Sequence, residues 1–198
     1  MSKTLNMLSI DEIVGLLNNG AVGVLPTDTI YGVVASAHNS DAIKRVYTVK
    51  HRQDKPGTII AASSDQLVAL GIPRRYLRAV EQFWPNPISV VIPLGADHQD
   101  LHLGKGSIAC RIPNKPVLLE LLAQTGPLVT SSANLTGEQP ATNLLEAQDY
   151  FGDEVDFYVD GGDLSDQKPS TIIRIVDDAV EVLREGAVRI SESGEILS

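Results

Sequence analysis

The chain has 198 residues, 43% of them hydrophobic, and a net charge of −9, which is the composition of a globular protein and argues against disorder. No apolar run reaches the roughly 18 residues of a membrane span, no signal-peptide h-region precedes Asp11, and one cysteine excludes an internal disulfide. We therefore expect one cytoplasmic domain over residues 1–198, with its core at about 9–190, a polar C-terminal tail and no membrane partner.

The N-terminal half is predicted to open with a helix. Ser9 and Glu12 have the spacing of a capping box, apolar residues follow at helical intervals, and Gly20 ends the run. The elements predicted next, in chain order, are a strand at 21–25, a polar turn at 26–32, a helix at 41–49, a basic loop at 50–57, a strand at 58–62, helices at 64–70 and 73–84, and a strand at 87–94.

The C-terminal half is predicted to be richer in strands. Its predicted elements are a loop at 95–106, a strand at 107–112, a helix at 115–124, a strand at 127–130, a helix at 143–151, and strands at 155–159, 171–176 and 180–183. Strands that alternate with helices early and cluster late favour an α/β fold with a mixed parallel and antiparallel sheet flanked by helices.

Charge is distributed unevenly along the chain. Residues 149–198 contain 13 acidic and 4 basic residues and carry the whole net charge, whereas residues 1–148 are balanced. The balanced part includes basic stretches at 44–55 and 74–78. The acidic total therefore does not exclude an anionic ligand or a nucleic acid.

Several common catalytic signatures are absent from the sequence. It has no P-loop, no G-x-G-x-x-G, no H-E-x-x-H and no G-x-S-x-G. His98 and His102 share a loop with two aspartates, but a solvated acidic loop is a more frequent outcome than a metal site. Cys110 lies in a predicted strand, where an inert buried thiol is the favoured interpretation.

Five polar clusters lie at the ends of predicted strands. They are Thr27–Thr29 with Tyr31, Lys50 with Arg52, Ser107 with Arg111, Thr130–Asn134, and Ser170 with Thr171. Each cluster alone is also compatible with a turn, a helix cap or an ion pair. Because loops at strand ends converge on one pocket, the five together favour a site for a ligand with phosphate and carboxylate groups.

The ordered segments PTDTIYG, KHR, SIACRIP, TSSANLTG, DGG, KPSTIIRI and LREGAV resemble the YrdC/TsaC family in its short form, from about residue 25 to residue 188. The resemblance implies a twisted α/β sheet with a basic concave cavity. It also implies a nucleotidyltransferase that makes threonylcarbamoyl-AMP and pyrophosphate from L-threonine, bicarbonate or CO2, and ATP. The product would feed the t6A modification of tRNA through t6A-transfer proteins, with tRNA itself a further candidate partner.

The same resemblance assigns residues to the site. Those expected to contact threonine are Thr29, Arg111, Thr130 and Ser170; those expected to contact ATP are Lys50, Arg52, Ser107, Ser132, Asn134 and Arg184. Lys50, Arg52 and Arg111 would carry catalysis through their charge. Mg2+ would arrive on the ATP phosphates, without a metal site of the protein's own.

The sequence departs from the family pattern after Arg52. Pro56 stands where an asparagine or lysine is usual, Ala61 stands where a histidine is usual, and Lys55 can substitute one place earlier. Two alternatives remain: a non-catalytic RNA-binding or ribosome-associated module, and a relative that uses another carbamoyl donor. The low aromatic content of 5% counts against the RNA-binding alternative.

Overall fold

The computed structural model describes residues 2–51, 55–177, 179–191 and 193–197. Its strands are β1 (Lys3–Asn6), β2 (Gly23–Pro26), β3 (Tyr31–Ser36), β4 (Thr58–Ile60), β5 (Ile88–Pro93), β6 (Ser107–Arg111), β7 (Leu128–Ser132), β8 (Phe157–Asp160), β9 (Thr171–Val176), β10 (Ala179–Arg184), β11 (Arg189–Ile190) and β12 (Ile196–Leu197). Its α-helices are α1 (Ile10–Asn18), α2 (Ser40–Val49), α3 (Ser64–Ala69), α4 (Arg74–Arg78), α5 (Gln99–His102), α6 (Pro116–Thr125) and α7 (Leu144–Phe151).

One large sheet organises the fold. Within the described ranges it has ten strands, in the order β1-β8-β2-β3-β7-β4-β6-β5-β9-β10, and β11 and β12 form a separate pair. The pairs β1–β8, β8–β2, β4–β6 and β5–β9 are parallel, whereas the other pairs in the large sheet are antiparallel. The predicted mixed α/β sheet flanked by helices is confirmed.

Both faces of the central strands are buried. Val33 and Val34 are neighbours in β3 but belong to two different apolar clusters, and so do Ile59 and Ile60 in β4. This follows from the two-residue repeat of a strand, which points successive side chains to opposite faces. The central strands are therefore apolar throughout, without the polar alternation of a half-exposed strand.

Helices cover these two faces. On one face, Leu17 of α1 and Leu122 of α6 are buried in the cluster that contains Val34. On the other face, Val46 of α2 and Phe151 of α7 are buried in the cluster that contains Val33. The sheet is thus the middle layer of three along its central strands.

The sequence prediction missed β3 and β1. Residues 31–36 were assigned to the end of a polar turn and to a connection, but they form an antiparallel hairpin with β2. The segment is short and wholly buried, so it carries no alternation that would mark it as a strand. β1 pairs in parallel with β8, more than 150 residues away, and buries only Leu5.

Three local predictions were wrong. Ser9 is the N-cap of α1 but makes no side-chain capping bond, and Glu12 is instead paired with Lys3. The predicted helix at 73–84 is a short α4 followed by a 3-10 turn at Glu81–Phe83. The loop predicted at 95–106 contains α5 and a 3-10 turn at Ala96–His98.

No helix among the described residues combines the length and the apolar character that crossing a bilayer requires.

The packing of α1 on α6 makes a testable prediction. Leu17 is fully buried, so Leu17→Ala should lower the free energy of unfolding by about 2–5 kcal/mol in urea denaturation. Leu145→Ala is the matched control, because Leu145 lies on a helix but is 72% exposed, and it should change that free energy by about 0.5 kcal/mol or less. Equal effects of the two substitutions would contradict the described packing.

Candidate active site

A cavity of about 370 Å3 opens on the face of the sheet that α1 and α6 cover elsewhere. Seven of the ten site residues predicted from the sequence line it: Thr29, Ser107, Arg111, Thr130, Ser132, Ser170 and Arg184. They come from the β2–β3 turn, from β6, β7 and β10, and from the segment before β9. The sheet order therefore brings together residues that lie up to 155 positions apart in the chain, from Thr29 to Arg184.

Strand register explains why this face is concave. Gly32 pairs with Ser132, and Thr58 pairs with both Thr130 and Ala109. These small residues lie on the same face of the sheet as Val34 of β3 and Ile60 of β4, which pack against the helices. The same face thus has an apolar half beneath the helices and a small, polar half that forms the cavity floor.

Thr130 approaches two backbone positions of this floor so closely that both are glycine. A Cβ on Gly32 would lie 2.5 Å from Thr130 Oγ1, and a Cβ on Gly57 would lie 2.6 Å from the Thr130 carbonyl oxygen. The Gly57 amide also donates to the Tyr47 hydroxyl at 3.0 Å. Any side chain at either glycine would push into Thr130, so the floor requires glycine at both positions.

The cavity lining is strongly cationic. Lys55, Lys105, Arg111 and Arg184 line it, and no aspartate or glutamate is among the described lining residues. Low-dielectric walls that carry charge of one sign concentrate ions of the opposite sign. The cavity is thus suited to a polyanion, although the whole chain is acidic.

Arg111 is held from behind by buried partners. Its residue is only 3% exposed, Nη2 donates to Asp28 Oδ1 at 2.9 Å, and Nη1 donates to Ser89 Oγ at 3.0 Å. Arg111 Nε and Asp28 Oδ2 are buried and have no hydrogen-bond partner among the described residues. The ion pair compensates the cost of burying either charge alone and fixes the position of the guanidinium at the cavity wall.

The motifs KPST and LREGAV are adjacent in space. Thr171 Oγ1 accepts from the Gly186 amide at 3.1 Å and from the Val188 amide at 3.2 Å. This contact brings Arg184 against Ser170, whose carbonyl oxygen accepts from Arg184 Nη2 at 2.7 Å and from Nε at 3.1 Å. The Thr171 hydroxyl therefore orients a cavity cation that lies 13 residues further along the chain.

Tyr31 ties the DGG segment to the cavity wall. Its hydroxyl accepts from the Gly161 amide at 2.8 Å and donates to the Gly162 carbonyl at 2.9 Å. Burial raises the pKa of Tyr31, so the hydroxyl keeps the proton that it donates. The predicted PTDTIYG and DGG segments thus meet in one structural unit.

Lys50 and Asn134 do not line the cavity but organise one of its loops. Lys50 is 1% exposed, and its ammonium donates to the carbonyls of Ser132 and Asn134 and to Asn134 Oδ1 at 2.9 Å. Ser132 Oγ donates to the same Asn134 Oδ1 at 2.6 Å. The two residues hold Ser132 in place, and their expected contacts with ATP stay predictions. Arg52 lies outside the described residues.

Of the residues that depart from the family pattern, Pro56 lines the cavity and Ala61 lies in the core. Lys55, Pro56 and Gly57 all line the cavity, so the residue proposed as a substitute is present in its wall. Ala61 is fully buried in the apolar cluster that contains Val33. No described part of Ala61 reaches the cavity, and its amide donates to the Arg111 carbonyl at 3.1 Å.

The weaker alternatives have ordinary structural explanations. His102 is 2% exposed, accepts from the Gly106 amide at 3.1 Å through Nδ1, and lies 3.2 Å from the Gly95 carbonyl through Nε2. Among the described residues, no cluster of histidine, cysteine, aspartate or glutamate could hold a metal ion. Complete burial raises the pKa of the Cys110 thiol, which makes it unreactive.

Sequence reasoning missed Lys105, Ser89 and Lys115, and it included Asp28 in the cluster at 27–29 without predicting its pairing with Arg111. Lys105 lines the cavity, Asp28 and Ser89 hold Arg111, and Lys115 donates to the Thr27 carbonyl at 3.0 Å. Burial lowers the pKa of Lys115, and the carboxylate of Asp28 opposes that shift. Ser89 left a signal, since it is the one polar side chain in the apolar segment at 87–94. The sequence held no comparable signal for Lys105, because a lysine in a predicted loop indicates only solvent exposure.

Comparison with known proteins identifies similar chains. The model of the Sua5/YciO/YrdC family, described as "Telomere recombination", matches residues 15–186. A Mycobacterium tuberculosis protein, provisionally named threonylcarbamoyl-AMP synthase, is 34% identical over 95% of this chain and 88% of its own length. The threonylcarbamoyl-AMP synthase of Bacillus subtilis is 30% identical over 90% of this chain, which spans 54% of that protein.

A solved structure also resembles this chain. The crystal structure of Pyrococcus abyssi Sua5 complexed with L-threonine superposes with a TM-score of 0.83 and 26% identity. The match covers 96% of this chain and 58% of that one.

The Lys50 contacts make a prediction about stability. Lys50→Met would leave the carbonyls of Ser132 and Asn134 without their buried donor. We expect the free energy of unfolding to fall by about 1–3 kcal/mol in urea denaturation. Lys105→Met is the control, because Lys105 is exposed at the cavity rim, and should change that free energy by about 0.5 kcal/mol or less. Two equally stable variants would show that Lys50 does not hold the loop.

Proposed function

Because the chain belongs to the Sua5/YciO/YrdC family, we propose that it is a threonylcarbamoyl-AMP synthase. It converts L-threonine, bicarbonate and ATP into threonylcarbamoyl-AMP, pyrophosphate and water; when CO2 is the carbon source, the same products form without the water. The names of the B. subtilis and Photobacterium profundum relatives and the threonine complex of P. abyssi Sua5 support this assignment.

One observation in the structure carries the assignment furthest. The cavity combines four cations with a row of small hydroxyl residues and has no acidic residue among its described lining. A triphosphate needs the cations, and an amino acid needs short polar side chains beside an arginine that receives its carboxylate. A groove for single-stranded RNA would instead present exposed aromatic rings for base stacking.

The chemistry needs no protein nucleophile. The neutral amine of threonine attacks CO2, a C–N bond forms and a proton leaves the nitrogen, which gives a carbamate. A carbamate oxygen then attacks the α-phosphorus of ATP, and the bond to the β-phosphate oxygen breaks as pyrophosphate leaves. The protein's contribution is to place the two reactants together and to stabilise the negative charge that they carry.

We propose to divide the lining residues between the two substrates as the family resemblance implies. We assign Thr29, Arg111, Thr130 and Ser170 to threonine, because Arg111 offers a fixed guanidinium beside three hydroxyls. We assign Ser107, Ser132 and Arg184 to ATP, with Lys55 and Lys105 as further cations for the phosphates. Mg2+ would enter as part of the nucleotide substrate, since the described lining offers no carboxylate ligand.

We also propose a place for the product. Threonylcarbamoyl-AMP is a mixed anhydride that is primed for acyl transfer, so its consumer is a protein that moves the threonylcarbamoyl group to tRNA as t6A. We further propose a cytoplasmic location, the t6A-transfer proteins as partners, and residues 1–198 as one catalytic domain.

The first test is pyrophosphate release from ATP and Mg2+, with threonine and bicarbonate omitted in turn. Release that requires both is the expected result. Binding of threonine and ATP without release would require a missing partner or a lost catalytic group. An absence of both release and binding would reject the enzyme and favour the RNA-binding alternative.

The division of the cavity predicts a selective effect at Arg184. Removing a guanidinium that makes charge-assisted bonds to the phosphates should raise the KM for ATP about 10-fold or more in Arg184→Ala. The KM for threonine should change less. Arg174→Ala is the matched control, because Arg174 lies on the adjacent strand, is exposed and pairs with Glu181 outside the cavity. Equal KM values for ATP in the two variants would show that Arg184 does not contact the ATP phosphates.

A further inference from the structure

Ser89 is a buried serine between two residues of the proposed threonine site. It lies in β5, is fully buried and is not among the residues that line the cavity. Its Oγ accepts from Arg111 Nη1 at 3.0 Å and donates to Ser170 Oγ at 3.0 Å. The hydroxyl thus links the guanidinium of Arg111 to the hydroxyl of Ser170 without facing the ligand.

The direction of these bonds is fixed by chemistry. A guanidinium only donates, so the oxygen of Ser89 accepts from Arg111 and its single proton goes to Ser170. Ser170 Oγ also accepts from Arg184 Nη2 at 3.1 Å. Both lone pairs of Ser170 are then occupied, and its own proton has no acceptor among the described residues. Since Ser170 lines the cavity, that proton is available to a ligand oxygen.

The hydroxyl of Thr29 is arranged in the opposite way: it offers lone pairs to a ligand, whereas Ser170 offers a proton. Thr27 Oγ1 donates to the Ile30 carbonyl at 2.7 Å and lies 3.0 Å from Thr29 Oγ1. Because the Thr27 proton is already used, the Thr29 hydroxyl donates to Thr27 and keeps its lone pairs free. The cavity therefore presents one hydroxyl as a donor and another as an acceptor, which matches the carboxylate and the amine of an amino acid.

We propose that Ser89 is a positioning residue that fixes Ser170 as a hydrogen-bond donor toward the carboxylate of bound threonine. This inference rests on the proposed function and adds a residue that does not touch the substrate. Without the Ser89 hydroxyl, Ser170 is free to turn its proton away from the ligand, and Arg111 loses one of its two buried acceptors.

The test is a comparison of Ser89→Ala with the wild-type chain in steady-state pyrophosphate release. We expect the KM for threonine to rise about 10-fold. The KM for ATP should stay within about twofold, because both bonds from Arg184 to the Ser170 carbonyl remain. A purely structural defect would impair both substrates together and would overturn the inference.

A double-mutant cycle isolates the connection to Ser170. Ser170→Ala should raise the KM for threonine, and Ser89→Ala/Ser170→Ala should add about twofold or less to that increase, since Ser89 acts largely through the Ser170 hydroxyl. Independent effects would multiply, and that outcome would overturn the inference. Ser36→Ala is the control, because Ser36 is a buried serine in β3 that is not among the cavity-lining residues and whose hydroxyl accepts from the His38 amide at 3.4 Å. It should leave both KM values unchanged.

Ser89→Cys is a second test of the inference in case Ser89→Ala does not fold. It nearly preserves volume but replaces the hydroxyl by a weak donor and acceptor, so the KM for threonine should still rise. An unchanged KM in Ser89→Cys or Ser89→Ala overturns the inference while the proposed function stands. If the wild-type chain shows no threonine-dependent release of pyrophosphate, the proposed function is rejected, and the role proposed for Ser89 is rejected with it.

Discussion

A buried guanidinium is the constraint on which the site depends. Arg111 lies in the middle of a ten-stranded sheet, where an unpaired charge would be expensive, and it is compensated by Asp28 and Ser89. Both partners contact it from outside the cavity lining. The cavity therefore keeps an excess of positive charge toward its ligand, because the acid that neutralises Arg111 lies behind it.

The sheet makes this arrangement possible. The order β3-β7-β4-β6-β5-β9-β10 places strands from distant parts of the sequence side by side. On one face, each of β3, β4 and β7 bears an apolar residue beneath the helices, and a small residue two positions along faces the cavity. Binding surface and core thus share the same strands, so a change in register would displace the cavity floor and the core packing together.

Six residues of the cavity wall lie in polar clusters at the ends of predicted strands, and the family resemblance added the seventh, Arg184. The sequence was thus informative about the fold class, the relevant motifs and the cavity wall. It was less informative wherever a distant partner decides the outcome. Ser9 and Glu12 have the spacing of a capping box, yet Lys3 competes for Glu12. The family resemblance assigns Lys50 to ATP, and the structure shows its ammonium bound to loop carbonyls. β3 lacks alternation because both of its faces are covered.

The position of β9 and β10 along the chain also has a consequence for biosynthesis. β10 contributes Arg184 to the cavity, and the residue just before β9 is Ser170. The two strands complete one edge of the sheet through the parallel pairing of β9 with β5. A ribosome makes them after β1–β8, so a nascent chain has those strands before it has Ser170 and Arg184. Ligand binding thus requires synthesis to have passed Arg184, and a chain truncated before Ser170 would keep Arg111 but lose Ser170 and Arg184 from the cavity.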